Sequence, residues 1–262
     1  MNDPGKTIYE SHVPATTGNS SSDKDPKKAR KAEKQAMRAH AEDVLKKLSP
    51  RDVALASFPR SGSTWVRGCL IDLHRQMKGE ITAPTARVGI GRTLPSLNNA
   101  DMRKWGEYCP GVRMYKTHTM TQIQGRRFIY LVRDPADCLR SFYRYSTRGE
   151  FDKVLALDDF VNRQLMRWCD HVNRAITLHS QSPEKSVFLA YRNMHAEPAR
   201  ELFRVMSFLS LSPSLAMVER AIGNNLLEIR KMLASEKKRQ APTITWVRGR
   251  WAWARNCRGL CE

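Results

Sequence analysis

A short polar loop between an apolar run and a helical segment carries the residue types of an anion-binding site. The loop, Ser57–Trp65, reads Ser-Phe-Pro-Arg-Ser-Gly-Ser-Thr-Trp. Pro59 and Gly62 favour a tight turn, and the helix predicted from Ser63 directs unpaired backbone N–H groups and the positive end of its dipole at that turn. Arg60 adds a positive charge, and further hydroxyl donors are Ser61, Ser63 and Thr64. The loop predicts a site for a phosphate-like group.

The phosphate loop of nucleoside triphosphatases ends in Gly-Lys-Ser/Thr, whereas Gly62 is followed here by Ser-Thr-Trp. This difference disfavours a nucleoside triphosphatase and a P-loop kinase. A strand-to-helix turn without a ligand is the alternative interpretation of the loop on its own, because every α/β protein has several such turns.

A second strand runs directly into a helix around Arg133. Asp134 is a predicted N-cap and Pro135 a predicted first helical residue, so Arg133 is expected at the carboxyl end of the strand. Ser141 lies two helical turns further on and is expected near the same cleft. The pattern indicates a second anion site, and the alternative is a structural salt bridge from Arg133 to Asp137 or Asp134.

A third strand end carries Tyr-Lys-Thr-His at positions 115–118. Lys116 is suited to stabilising negative charge, and His118 is suited to general base catalysis because imidazole titrates near neutral pH. We therefore expect His118, among the seven histidines, to be the one with a chemical role.

The fourth candidate is the C-terminal segment 246–256, in which arginines alternate with tryptophans. Arginines contact phosphates and aromatic rings stack on bases, so this segment predicts either a nucleic-acid surface or a cover over a single nucleotide. It belongs to the most basic part of the chain, because residues 230–258 contain nine Lys/Arg and one acidic residue.

These residues need a scaffold that brings strand ends together. Apolar runs of strand length alternate with segments of helical periodicity, which predicts an α/β fold with a mainly parallel sheet flanked by helices in three layers. Ligands of such sheets bind at the carboxyl ends of the strands. The predicted strands are Val53–Phe58, Val112–Tyr115, Phe128–Val132 and Val187–Ala190. The segment 83–110 is rich in turn residues and is a candidate lid or irregular loop.

The chain is predicted to have three parts. Residues 1–25 have the composition of a disordered tail. Residues 26–48 are predicted to form a basic helical extension that docks only through its last turns. Residues 49–262 are predicted to form one folded domain. The net charge of +19 indicates attraction to polyanions or phosphorylated ligands. The six cysteines are scattered without metal-ligand spacing, and no apolar run reaches membrane-spanning length, so a cytoplasmic protein without a metal or a membrane span is expected.

Together the four segments resemble the cytosolic-type sulfotransferases, which use 3′-phosphoadenosine 5′-phosphosulfate (PAPS). The family loop Pro-Lys-Ser-Gly-Thr-Thr-Trp is similar to residues 59–65, and its Arg-Asn/Asp-Pro turn with a Ser eight residues after the Arg is similar to 133–141. The family's Lys-Thr-His segment resembles residues 116–118. Its strand ending in Tyr-Glu-Asp-Met resembles residues 188–194, and its Arg-Lys-Gly segment resembles residues 247–249. The resemblance covers about residues 50–256 and implies the P-loop-NTPase-like sulfotransferase fold.

The resemblance also implies roles for individual residues. The loop from Arg60 to Trp65 holds the 5′-phosphosulfate, Arg133 and Ser141 hold the 3′-phosphate, and His118 is the catalytic base. Arg60, Lys116 and Ser141 assist at the transferred group. The further nucleotide contacts implied are Tyr191, Asn224, Arg248 and Gly249, with Trp65 either stacked on adenine or packed in the core.

Some positions depart from the family pattern. Arg60 replaces a Lys, Val247 replaces the first Arg of the C-terminal motif, and Ala252 and Trp253 replace Gly-Asp. The implied reaction is in-line transfer of a sulfuryl group from PAPS to a hydroxyl or amine, without an obligate nucleic acid. The acceptor, a small molecule or an anionic glycan, is left open. The alternative is a nucleic-acid or polyanion-binding protein with a degenerate domain of this kind.

Overall fold

The computed structural model describes the backbone of residues 26–80, 90–147, 157–237, 243–247 and 250–254. The chain divides into two compact units, residues 1–36 and 37–262. The sheet and the candidate site described below belong to the second unit. The predicted tail 1–25 lies outside the described residues, and the predicted domain boundary at residue 49 remains a prediction.

The described residues form eight α-helices, which are α1 (Pro26–Lys46), α2 (Ser63–Met77), α3 (Ile90–Thr93), α4 (Pro135–Thr147), α5 (Leu157–Gln181), α6 (Tyr191–Ala196), α7 (Pro198–Phe208) and α8 (Leu215–Lys237). Short 3₁₀ turns occupy Leu97–Asn99, Met120–Gln122 and Pro183–Lys185. In the described part of the chain, every helix is too short or too polar to cross a lipid bilayer.

Four parallel strands form the main sheet in the order β2-β1-β3-β4. Their bounds are β1 (Val53–Ser57), β2 (Met114–Thr117), β3 (Arg127–Val132) and β4 (Ser186–Ala190). This arrangement confirms the predicted parallel sheet. A separate antiparallel pair is formed by β5 (Thr243–Val247) and β6 (Arg250–Ala254).

The second strand begins two residues later than predicted. Val112 makes only an isolated bridge to Cys109, whereas Met114 to Thr117 pair with β1. The apolar run placed the strand too early, because the pairing partner, and not hydrophobicity alone, decides where a ladder begins. Lys116 consequently lies inside the strand, and His118 is the first residue after it.

Helices cover both faces of the sheet. On one face, Leu55 and Leu131 join a core cluster with residues of α2, α7 and α8, including Leu70, Val205 and Val218. On the other face, alternate strand residues such as Tyr115 and Tyr130 pack with the end of α1 and with α5. The alternation follows from the two-residue period of a strand, and it confirms three layers.

The N-terminal helix α1 is buried near its end. Its last turns bury Ala41 and Val44 in the second cluster, while residues 31–40 are exposed. The region 90–110 is irregular, as expected, but Leu94, Leu97 and Tyr108 anchor it in the core. Residues 81–89 lie outside the described residues, so the lid role stays a prediction.

Two helices start where strands end, and each start has a local cause. Gly62 is the N-cap of α2 and has a left-handed φ of 99°, which favours glycine. Asp134 Oδ1 accepts hydrogen bonds from the backbone N–H of Ala136 at 2.9 Å and of Asp137 at 3.3 Å, and Pro135 is the first residue of α4. Both starts agree with the sequence prediction.

Candidate functional site

The order of the strands decides which loops become neighbours. The carboxyl ends of β2, β1, β3 and β4 lead into His118, the loop 58–62, Arg133 and Tyr191, respectively. After β1 the chain crosses to one side of the sheet, and after β3 to the other, so a crevice opens between the ends of these two strands. The loop and Arg133 flank this crevice.

The loop after β1 begins with a tight turn. Ser61 N–H donates to Phe58 O at 3.3 Å, Pro59 occupies the second position, and Arg60 occupies the third with a φ of 71°. A positive φ at the third position is typical of a type II turn, where glycine is usual. An arginine in this conformation is strained by about 1–2 kcal/mol, and such strain clusters at functional sites.

Gly62 allows the closest approach in the site. The ring of Tyr191 lies directly against it, and a Cβ added at Gly62 would overlap Tyr191 Cε2 and Cδ2. Gly62 O accepts the N–H of Trp65 at 3.0 Å, and no side chain caps the helix. The first amides of α2 are therefore available to an anion at the loop, which is the geometry that the sequence predicted.

Arg60 is held by residues of α4. Its Nε donates to Ser141 Oγ at 3.1 Å, and its guanidinium carbon lies 4.8 Å from the ring centroid of Tyr145. A planar guanidinium uses both contacts at once, since one edge donates while one face stacks. Ser141, which the resemblance pairs with Arg133, is thus bonded to Arg60 instead.

Arg133 joins the loop to the start of α6. Its Nη1 donates to Arg60 O at 3.3 Å, and its guanidinium carbon lies 4.3 Å above the ring of Tyr191. Its Nη2 is 3.7 Å from Asp137 Oδ2, so the salt bridge considered as an alternative is present. Arg133 Nε is buried and forms no hydrogen bond with the described residues. A buried donor of this kind favours an anionic ligand.

A buried thiol under the loop was not predicted. Cys138 Sγ lies 3.2 Å from Pro59 O and 3.5 Å from Ser61 Oγ, and burial raises the pKa of this thiol. Cys138 therefore stays a neutral thiol and donates a hydrogen bond to Pro59 O within the turn. Ser61 is itself buried and points into the loop base, while Ser63 is buried and Thr64 is exposed.

His118 has one tautomer that fits its contacts. Its Nδ1 lies 2.6 Å from Ser57 O, which is a carbonyl and only accepts, so Nδ1 carries the hydrogen and Nε2 the lone pair. Nε2 forms no hydrogen bond with any described residue. Burial and the charge of Lys116 lower the pKa of His118 to about 4. The imidazole is therefore neutral near pH 7, as a general base requires.

Lys116 lies among other cations. Burial, followed by the charges of Arg67 and Arg60, lowers its pKa to about 8. Arg67, on α2, donates through Nε to Leu94 O at 2.6 Å, and burial lowers its pKa to about 10. Positive charge is thus concentrated on the β2 side of the loop, and sequence motifs did not single out Arg67.

Trp65 lies in the core. It is only 6% exposed, and its indole is covered by Tyr191, with ring centroids 6.1 Å apart, and by His195 at 4.8 Å. The alternative role considered for Trp65, a core indole, therefore describes its position here. Its indole N–H is buried without a hydrogen bond to the described residues.

Asn224, the other predicted adenine contact, faces α2. Its Nδ2 donates to the buried Asp72 Oδ2 at 2.7 Å. The neighbouring Asn225 packs against Gly68, where an added Cβ would overlap Asn225 Oδ1. These contacts fix α8 on α2. Arg248 and Gly249 lie outside the described residues, so their predicted nucleotide contacts stay predictions.

Most of the predicted site residues come together. Direct contacts connect Arg60 with Ser141 and Arg133, and Arg133 with Tyr191. The residues that sequence reasoning missed are Ser57, Arg67, Cys138, Tyr145, His171 and His195. Of these, Ser57 had a signal in the sequence, because it is the first residue of the segment Ser57–Trp65 that was singled out. The described residues contain no cluster of three or more His, Cys, Asp or Glu that could hold a metal ion.

Comparison with known proteins gives a family match and several relatives. Residues 50–248 match the model of the sulfotransferase domain. Sulfotransferase 1C2 of Rattus norvegicus is 24% identical over 197 residues, covering 67% of this chain and 64% of the relative. Sulfotransferase 1C2 of Homo sapiens is 22% identical over 201 residues, covering 68% and 65%. The chain thus spans slightly less than two thirds of the length of these relatives.

Solved structures share the fold. Mouse sulfotransferase SULT7A1, crystallised with PAP, matches with a TM-score of 0.52 and 20% identity, covering 79% of this chain and 74% of that one. A putative steroid sulphotransferase of Arabidopsis thaliana matches with a TM-score of 0.52 and 15% identity, covering 78% and 80%. At these identities the likeness establishes the fold, and it confirms the fold class predicted from the sequence.

Proposed function

Because the chain belongs to the sulfotransferase domain family, we propose that it transfers a sulfuryl group from PAPS to a hydroxyl or amine of an acceptor. The observation that carries this proposal is the adjacency of three strand ends. The neutral imidazole of His118 lies at the end of β2, next to the loop 58–62 with Arg60, and Arg133 lies at the end of β3, on the other side of that loop. A base, a phosphosulfate cradle and a second phosphate site in that order fit one bisphosphorylated nucleotide.

The residues present fit this anionic nucleotide. The loop offers the first N–H groups of α2 and the guanidinium of Arg60 to the 5′ end. Arg133, whose Nε forms no hydrogen bond with the described residues, offers a cation to the 3′-phosphate. Tyr191 would border the adenine. PAP, the bisphosphate product, is named with the mouse SULT7A1 structure, which supports PAPS as the co-substrate. The assignments of Ser61, Ser63, Thr64, Trp65, Asn224, Arg248 and Gly249 to the nucleotide remain part of the proposal.

The chain's own groups would divide the chemistry between them. His118 Nε2 would accept the proton of the acceptor as the acceptor oxygen or nitrogen attacks the sulfuryl sulfur, and the bond from that sulfur to the 5′-phosphate oxygen would break and release 3′,5′-bisphosphoadenosine. His118 Nδ1 stays bonded to Ser57 O. Arg60 and Lys116 stabilise negative charge on the sulfuryl and phosphate oxygens, and Ser141 fixes the direction of the Arg60 guanidinium. Fixed charges in a site with little water act without reorganising. The bound nucleotide supplies the activated sulfuryl group.

Charge, relatives and cysteines bear on the acceptor and the location. The acceptor is a hydroxyl or amine compound, either a small molecule or an anionic glycan, and the net charge of +19 supports the anionic class. A cytoplasmic location is supported by relatives such as cytosolic sulfotransferase 17 of Arabidopsis thaliana. The four described cysteines, Cys69, Cys109, Cys138 and Cys169, are all free thiols, which suits a reducing compartment.

Thermal unfolding with added nucleotides tests the proposal. At a hundred times its Kd, 3′,5′-bisphosphoadenosine should stabilise the protein by about 2.7 kcal/mol, which is about 5–10 °C in Tm for a domain of this size. Adenosine 5′-phosphate and ATP at equal concentration should give much smaller shifts. Equal shifts with all three would contradict a PAPS site.

A polyanion-binding protein would behave differently in the same assay. An oligonucleotide or heparin would then give the larger shift, and this shift would fall steeply between 50 and 200 mM salt. Transfer of radiolabelled sulfate from PAPS to a panel of phenols, alcohols, amines and glycans then identifies the acceptor class. If 3′,5′-bisphosphoadenosine selectively stabilises the protein but no acceptor is sulfated, the protein binds the nucleotide without being a sulfotransferase.

A further inference from the structure

A partly buried chain of hydrogen bonds links Tyr130 and His171 to the main chain of His118. Tyr130, on β3, bonds through its hydroxyl to His171 Nδ1 at 2.7 Å, and His171 Nε2 lies 3.1 Å from the backbone oxygen of His118. His171 is on α5, which covers the face of the sheet opposite to α2. The three residues therefore connect the end of β2 to β3 through a helix.

The direction of these hydrogen bonds follows from what each atom can do. The His118 oxygen is a carbonyl and only accepts, so His171 Nε2 carries the hydrogen. In a neutral imidazole the lone pair is then on Nδ1, and the Tyr130 hydroxyl donates to it. Burial lowers the pKa of His171 and raises that of Tyr130, so both groups stay in these neutral forms near pH 7.

The charged groups around His171 agree with this state. Burial is the largest influence on the pKa of His171, its bond to the His118 carbonyl acts in the opposite direction, and Arg174 on the same helix lowers the pKa further. His118 faces it from the end of β2 and is itself neutral, with a pKa of about 4. Among these influences, only the hydrogen bond to the His118 carbonyl favours the imidazolium form.

Ring packing fixes the orientation of His171 as well. Its ring centroid is 5.7 Å from that of Tyr130 and 5.7 Å from that of Phe58, which it meets at an interplanar angle of 87°. Phe58 is the first residue after β1 and begins the loop 58–62. His171 therefore contacts the loop base and the main chain of His118 at the same time.

We propose that His171, oriented by Tyr130, is a positioning residue for His118. His118 is then held at two points: its main chain by His171 Nε2–H, and its ring by Ser57 O. With both fixed, the free Nε2 keeps one direction relative to the loop. The inference rests on the proposed function, because the direction of Nε2 matters only if it accepts the acceptor's proton, and a displacement of 1 Å can cost 10²-fold in rate.

The test compares three variants with the unaltered protein. His171→Leu removes the donor to His118 O, and we expect kcat to fall about 10–100-fold while the KM for PAPS changes less than about twofold. His171→Gln places an amide N–H near the position of Nε2 and should recover most of the lost turnover. Tyr130→Phe removes the donor to Nδ1 and should give a smaller loss of kcat.

A matched control lies on the same helix. His179 also bonds through a ring nitrogen, with Nδ1 2.7 Å from Ser186 Oγ, and packs against Phe188. It has no contact with His118, so His179→Leu should destabilise the protein without the selective loss of kcat. Thermal unfolding with and without 3′,5′-bisphosphoadenosine shows whether each variant is folded and retains its nucleotide site.

A double-mutant cycle with His118→Ala separates positioning from a merely structural role. If His171 acts through His118, His171→Leu should have almost no further effect on the residual single-turnover rate of His118→Ala. Equal fold-losses in both backgrounds would overturn the proposal, and so would a His171→Gln variant as impaired as His171→Leu. If His171→Leu does not fold, the same cycle is run with Tyr130→Phe and decides the matter in the same way.

The outcome also separates this inference from the function on which it rests. Absence of sulfuryl transfer by the unaltered protein would remove both. Normal transfer by the unaltered protein with additive losses in the cycle would remove only the role of His171.

Discussion

Arg60 Nε donates a hydrogen bond to Ser141 Oγ over 3.1 Å, although the two residues are 81 positions apart in the chain. The bond links the anion loop after β1 to the helix after β3, across the crevice in which a nucleotide is proposed to bind. Tyr145, one helical turn beyond Ser141, stacks on the same guanidinium. An arginine at this loop position is thereby held in one orientation before any ligand arrives.

Arg133→Ala should weaken binding of 3′,5′-bisphosphoadenosine far more than binding of adenosine 5′-phosphate. A hydrogen bond to a charged group contributes about 1.5–3 kcal/mol, so we expect a loss of about 10–100-fold for the bisphosphate alone. Isothermal titration calorimetry measures the affinity of each variant for both nucleotides. Asp137→Asn, which removes the 3.7 Å ion pair but keeps Arg133, is the control and should change neither affinity much. Equal losses for both nucleotides would refute the 3′-phosphate assignment.

His118→Ala should lower kcat by about 10²–10⁴-fold, because general base catalysis contributes this much. The affinity for 3′,5′-bisphosphoadenosine should stay within about threefold, since the ring bonds to Ser57 O on the acceptor side of the loop. Sulfate-transfer kinetics and calorimetry on the same preparation check the two quantities. Undiminished turnover would remove His118 as the base.

The affinity for 3′,5′-bisphosphoadenosine should depend on pH through Lys116. The pKa of this lysine is about 8 in the free protein, and bound phosphates favour its protonated form. Affinity is therefore constant below pH 8 and falls above it, because binding must then take up a proton, by at most about tenfold per pH unit. Calorimetry from pH 7 to 9.5 measures this slope.

Lys116→Met supplies the control for the pH experiment. The variant should bind more weakly at pH 7, and its affinity should change little from pH 7 to 9.5, since the titrating group is gone. A slope of the same size in Lys116→Met would assign the pH dependence to another group.

Gly62→Ala should destabilise the protein more than Gly79→Ala does. Both glycines have left-handed φ values, 99° and 76°, so both substitutions cost about 1–2 kcal/mol in backbone strain. At Gly79 nothing lies within 4 Å of an added Cβ, whereas at Gly62 the ring of Tyr191 occupies its place. Urea unfolding gives the two free energies.

Removing the ring of Tyr191 should also remove the difference in unfolding free energy between Gly62→Ala and Gly79→Ala. In a Tyr191→Ala background, Gly62→Ala and Gly79→Ala should cost about the same free energy of unfolding. A difference that persists in this background would mean that Tyr191 is not the cause.

Much of the site could be predicted because its signals are local. The αL glycine at the start of α2, the Asp134 cap and Pro135 act within a few residues of themselves, and their spacing is visible in the sequence. The parallel sheet followed from the alternation of strand and helix patterns. The predicted start of β2 was wrong by two residues, because pairing with β1, and not the apolar run, decides where the strand begins.

The sequence alone determined that a polar turn with an arginine, a second arginine and a histidine follow three strands of an α/β domain. It did so because turn residues, helix caps and hydrophobic periods act on neighbouring positions. Only the tertiary structure decided that Ser141 bonds to Arg60, that Trp65 is buried under Tyr191 and His195, and that Ser57 and His171 hold His118. These contacts join residues far apart in the chain, and their geometry depends on the order of the strands and on helix packing, which no local pattern encodes.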